Sequence, residues 1–194
     1  MILKREFGNS FAEEYYGVAI DIFERSFKKF DDHHASELSY ISPRSKANVV
    51  RDYAVQFFRD YADSVEEITY FTKKGTTYFV YKQKLLIKIK KLTKKELRAS
   101  YNHTKSSRLF ESQQTEFNML GYTNVYLGYT LDDIELDLGE VHVVCPGLNG
   151  NYWSINLTNM NIQNYELFEI PQEENFKPTK RVRVKKKKEG EKTG

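Results

Sequence analysis

Three features of the sequence predict an α+β fold in which N-terminal helices pack on a mainly antiparallel β-sheet. Apolar residues recur at steps of three and four through the first 62 positions. Residues 67–72 and 76–81 are rich in β-branched and aromatic residues, and residues 85–91 and 125–131 alternate at the two-residue period of strands, with glycine, proline and asparagine among the turn signals between runs. With 40% hydrophobic residues, and 13 Phe and 14 Tyr in 194 positions, the chain can bury a core of ordinary size. Residues 1–170 read as one domain, and 171–194 as a basic tail too poor in apolar residues to fold.

The first helix is expected to open at Asn9 and Ser10, since Ser10 and Glu13 have capping-box spacing. Phe11, Tyr15, Val18, Ile22, Phe23, Phe27 and Phe30 then form one aromatic-rich face directed at the core. Asp31, Asp32, His33 and His34 read as a solvated helix end, because adjacent histidines diverge on a helix and no zinc-like spacing follows. The second helix begins at Pro43 behind an N-cap Ser42 and runs to about Ala62. Ala47, Val50, Ala54, Phe57, Phe58 and Tyr61 form its buried face, with Arg44, Arg51 and Arg59 on the rim.

Strands are expected over 67–72, 76–81 and 85–91, joined by Lys-Lys-Gly and Lys-Gln-Lys turns. In the third of them Leu85, Ile87 and Ile89 alternate with Leu86, Lys88 and Lys90, so Lys88 and Lys90 are expected to emerge side by side. Thr93 with Glu96 marks a short helix, a break falls near Asn102 and His103, and Thr104 starts another helix within a polar stretch reaching Asn118. Such a polar helix either walls a groove over the lysine face or is simply a solvated surface helix. Further strands are expected around Val125 to Leu131, where Gly128 marks a bulge or close approach, and over 134–138, 141–145, 152–157 and 165–170.

The net charge of +3 conceals a segregation. Residues 68–95 hold nine lysines and no acid, residues 176–194 carry +7, and the remainder is therefore close to −13. Such a pattern steers a protein towards polyanions or towards an acidic partner protein. Lysines on strands also deter edge-to-edge aggregation without any ligand. Lys73, Lys74, Lys82, Lys84, Lys88, Lys90 and Lys91, with Tyr78 and Tyr81 as stacking surfaces, form the candidate nucleic-acid face. Arg44, Arg51, Asn102, Thr104 and Gln113 form a possible groove beside it.

Catalytic motifs are weak. Arg98 and His103 have an R-x4-H spacing that resembles a motif of helical RNA-cleaving domains, in which the arginine and histidine act on the 2′-hydroxyl and phosphate. Cys145 before Pro146 and Gly147 is the single thiol and reads as a buried core residue. A metal nuclease is not expected, since the lysine strands carry no carboxylate, and no metal or cofactor is expected elsewhere. The lone cysteine and the absence of an apolar leader in the first residues point to a cytoplasmic, reducing environment.

The stretches SPRSKANVVRDY, LLIKIKKL, NHTKSSRLFESQ, NVYLGYTLD and VVCPGLNGNYWSINL resemble an uncharacterised family of small bacterial proteins found in phage, plasmid or toxin–antitoxin-like loci. The resemblance spans residues 42–157 and falls on Arg44, Arg51, Lys90, Lys91, Asn102, Thr104, Gln113, Asn124, Gly128, Tyr129, Cys145, Pro146 and Trp153. It implies a genetic context and no mechanism, and the serine-rich segment after Asn102 departs from the proline-containing form of the pattern. The functional expectation is a non-enzymatic accessory or regulatory protein that binds DNA or RNA. A protein-binding inhibitor or antitoxin-like module is the alternative, and a metal-independent ribonuclease the third.

Overall fold

The structure is a computed structural model that describes residues 5–34, 40–99, 104–114, 121–134 and 137–160. Two helices, α1 (Arg5–His34) and α2 (Pro43–Ala62), precede strands β1 (Ile68–Lys73), β2 (Thr76–Tyr81) and β3 (Leu85–Lys91). A short helix α3 (Lys105–Glu111) leads to β4 (Thr123–Leu131), β5 (Leu138–Pro146) and β6 (Asn151–Asn156). The six strands form one sheet in chain order, and the α+β arrangement expected from the sequence is the one found. Every neighbouring pair is antiparallel except β3 and β4, which run parallel.

That parallel pair explains α3. Parallel neighbours cannot be joined by a hairpin, so the chain must leave the end of β3 and cross one face of the sheet before β4 begins. The two sheet faces therefore carry separate cores. Leu85, Ile87 and Ile89 of β3 pack with Val125, Leu127 and Tyr129 of β4 under the aromatic face of α1 and α2. Leu86 joins Tyr78, Val80, Tyr126, Val144 and Phe110 of α3 on the opposite face.

Local chemistry accounts for most boundaries. Ser42 Oγ accepts the Ser45 amide at 3.2 Å and Pro43 occupies the first turn of α2, as expected. α1 begins earlier than the Ser10 capping box predicts: Ser10 Oγ donates to Glu6 O at 3.1 Å from inside the helix. Gly8 explains the extension, because a Cβ there would stand 2.4 Å from the Trp153 ring, so this extra turn docks closely on β6.

Three other expectations are corrected. Residues 93–98 make a single turn and no helix: Leu97 N–H donates to Thr93 O, but Leu97 has φ of 51°, which stops propagation. α3 ends at Glu111, well short of Asn118, because Gln113 adopts φ of 57° and its amide and that of Gln114 close back on Phe110 O and Leu109 O. Ile134, assigned to a strand, lies exposed in the turn between β4 and β5, which Asp132 and Asp137 fasten by two hydrogen bonds. The strand expected over 165–170 and the basic tail of 171–194 lie outside the described residues. Among the described residues no helix is long and apolar enough to cross a membrane.

Candidate functional site

The lysines of residues 68–95 do not share a face. Lys74 and Gly75 at one end of β2, and Lys82 and Gln83 at the other, all have positive φ, the signature of tight type I′ hairpin turns. The two turns are separated by the length of β2, roughly 20 Å for six extended residues. Lys82 is drawn back to α1, where its Nζ lies 2.6 Å from Glu14 Oε1, an ion pair that raises the lysine pKa and lowers that of the carboxyl. Lys84 stands 5.6 Å over the Phe7 ring. Both therefore belong to the α1 end of the sheet and leave the proposed face.

The two candidate stacking tyrosines are core residues. Tyr81 is 1% exposed and packs edge-on against Phe11 and Tyr15. Tyr78 is 5% exposed, stacked on Phe71 at 5.4 Å on the other side of the sheet. Neither ring is open to a base.

The remaining basic residues gather at the opposite end, where β1 finishes and β3 finishes. Lys73 and Lys74 are exposed at the hairpin tip, and Lys90 and Lys91 are half-buried at the end of β3. Lys88 does not emerge beside Lys90 as expected; it is only 7% exposed, because α3 covers its strand face. Its ammonium lies 5.5 Å from the Tyr78 ring and 5.4 Å from the Phe110 ring. Across the parallel ladder Lys88 is level with Tyr126 and Lys90 with Gly128.

Electrostatically this corner is under load. Burial first, then the charges of Lys90 and Arg51, push the Lys88 pKa down to about 8, and Glu111 opposes them. Lys90 is lowered by the same causes, burial and Arg51. Among the described residues neither lysine makes a hydrogen bond or ion pair. Arg51 is held by Asp52 at 2.7 Å. Tyr126 donates its hydroxyl to Glu111 Oε1 at 3.3 Å, and burial raises its pKa. Two desolvated ammonium groups on one strand can take an anion as counter-charge.

The possible groove separates into structural parts. Arg44 and Arg51 sit on α2, over one face of the sheet, whereas Thr104 and Gln113 flank α3 on the other. Thr104 is the N-cap of α3, its Oγ1 accepting the Ser107 amide at 3.2 Å. Gln113 is spent internally on Asn124 and Pro146. Asn102 lies outside the described residues.

The catalytic candidates are similarly placed. Arg98 pairs with Glu96 at 3.5 Å, and His103 lies outside the described residues. Cys145 is fully buried with its thiol pKa pushed up by burial, while His142 is buried against Glu140 at 3.2 Å. Among the described residues no group of three or more His, Cys, Asp or Glu side chains is placed to hold a metal ion. Sequence reasoning missed Phe110, Glu111 and Tyr126, which shape the surroundings of Lys88. The alternation of β3 assigned the lysines to one face, but only the crossover of α3 shows that this face is covered.

Comparison of the chain with protein-family models, curated proteins and solved structures finds no match.

Proposed function

We propose that the protein binds nucleic acid, without catalysing a reaction on it, as an accessory or regulatory component of a bacterial mobile element or defence-related locus. The observation that carries this reading is the pair Lys88 and Lys90, desolvated on one strand and without an ion pair among the described residues, at the end of the sheet where Lys73, Lys74 and Lys91 lie. Burying like charges beside one another costs stability, and a phosphate backbone offsets that cost by supplying the missing counter-charge. The surface is smaller than the sequence predicts: it excludes Lys82, Lys84, Tyr78 and Tyr81.

The test is a salt series of affinities for single- and double-stranded DNA and RNA. The full chain is compared with a Lys73→Glu/Lys74→Glu/Lys91→Glu variant and a Lys82→Glu/Lys84→Glu variant. The first set is expected to weaken binding by about 10-fold or more and to reduce the salt slope, since each phosphate contact contributes roughly one unit to it. The second set is expected to leave both nearly unchanged. Equal losses in the two variants, or the absence of measurable binding, would overturn the proposal.

Binding to a partner protein is a second reading, and the exposed Leu148 and Tyr152 at the β5–β6 turn favour it. It predicts a stoichiometric complex that survives moderate salt and weakens on Leu148→Ser/Tyr152→Ser substitution.

A further inference from the structure

We infer that the Lys88–Lys90 corner receives a terminal phosphate, the end of a nucleic-acid strand, in preference to an internal phosphodiester. This rests on the nucleic-acid reading above and specifies which part of the strand is recognised.

Accessibility makes the distinction. Lys88 is 7% exposed, so whatever approaches its ammonium tip meets a nearly covered side chain. Rings flank that tip, Tyr78 from β2 and Phe110 from α3, at 5.5 and 5.4 Å. An internal phosphate carries sugars on two sides and is kept at the rim by such walls. A phosphate with a single ester bond can advance its free oxygens to the recessed ammonium. Lys90, two residues further along β3 and on the same side of the strand, stands nearer the surface and is placed to share the same group.

Charge makes the same distinction. A phosphate monoester carries between −1.5 and −2 charges near neutrality, whereas a diester carries one. Two neighbouring ammonium groups match the former. Among the described residues, the other charges acting on Lys88 are Arg51 of α2, which favours an anion, and Glu111 of α3, which opposes it and accepts the Tyr126 hydroxyl. Because Lys88 is close to half-charged at about pH 8, seating a dianion draws a proton onto it, and the preference weakens as pH rises through that range.

The experiment titrates the full chain with one internally labelled oligonucleotide in three forms: bearing a 5′-phosphate, bearing a 3′-phosphate, and bearing neither. A phosphorylated end is expected to tighten binding by about 10-fold or more, the scale of charge-assisted hydrogen bonds. In Lys88→Met the ratio of phosphorylated to unphosphorylated affinity is expected to fall to near one, with thermal unfolding confirming that the variant is folded. In the unaltered protein the same ratio is expected to shrink between about pH 7 and about pH 9. Equal affinity for all three forms would overturn the terminal-phosphate inference and leave the nucleic-acid reading standing. A preference that survives in Lys88→Met would overturn the assignment to this corner. Failure of any form to bind would remove the nucleic-acid reading itself.

Discussion

Gln113 brackets the backbone of Asn124: its Oε1 accepts the Asn124 amide at 2.8 Å and its Nε2 donates to the Asn124 carbonyl at 3.0 Å. The same Nε2 donates to Pro146 O at 2.9 Å. In β4 and β5, Tyr126 lies opposite Val144, and continuing that register by two residues brings Asn124 opposite Pro146. Pro146 has no N–H to offer across the ladder. The glutamine side chain, held by the C-terminal turn of α3, stands in for the missing backbone partner and fastens the crossover helix to the sheet.

Replacing Gln113 by Ala is accordingly expected to destabilise the fold by about 2 kcal/mol, because buried backbone groups lose their partners. Gln113→Gly should cost about 1 kcal/mol less than Gln113→Ala, since the φ of 57° strains alanine and is free for glycine. Urea unfolding of the three proteins measures both differences. An alanine variant as stable as the parent would show that the clasp contributes nothing.

Lys88 is expected to cost the protein stability at neutral pH. Its pKa is lowered from 10.5 to about 8 on folding, so below pH 8 both states hold the proton and the full penalty of a buried charge is present. Between about 8 and 10.5 the unfolded chain binds the proton more strongly, so stability rises with pH; above 10.5 the penalty is gone. Lys88→Met should therefore be more stable than the parent near pH 7 by up to about 3 kcal/mol. The gap should narrow towards pH 10. Urea midpoints of both proteins across this range check the sign, and a gap that widens with pH would contradict it.

Gly128 is where Leu92 crosses β4. A Cβ at 128 would lie 2.5 Å from Leu92 Cγ and Cδ1 and 3.0 Å from Lys90 O. Gly128→Ala is expected to destabilise by about 1–3 kcal/mol through overpacking. Leu92→Ala in the same chain should return part of that loss, and a double-mutant cycle on thermal unfolding gives the coupling. Purely additive effects would show that the two residues do not compete for this space.

Cys145 is the chain's single thiol, fully buried, with burial holding its pKa well above the usual range. Native protein is expected to react with a thiol reagent only as fast as the fold opens, and denatured protein at once. A fast native reaction near neutral pH would show an accessible thiolate and contradict this burial.

Local rules sufficed at several boundaries made by residues close in sequence, though not at Ser10 or Thr93. Ser42 and Pro43 start α2, Thr104 starts α3, and lysine–glycine and lysine–glutamine turns set the hairpins, because each depends on contacts within four residues. Alternation in β3 likewise divided Leu85, Ile87 and Ile89 from Lys88 and Lys90. What alternation cannot express is what covers each face. The parallel pairing of β3 with β4 carries α3 across the lysine side, and that crossover buries Lys88, places Phe110 and Glu111 around it and turns Gln113 inward. Opposite turns of β2 separate lysines that are neighbours in sequence, and Glu14, 68 residues earlier, neutralises one of them. The sequence by itself determined the fold class, most of the elements, the strand faces of β3 and the excess of positive charge. Only the tertiary structure decided which of those charges are desolvated together, since desolvation depends on what packs over a side chain and not on the residues beside it.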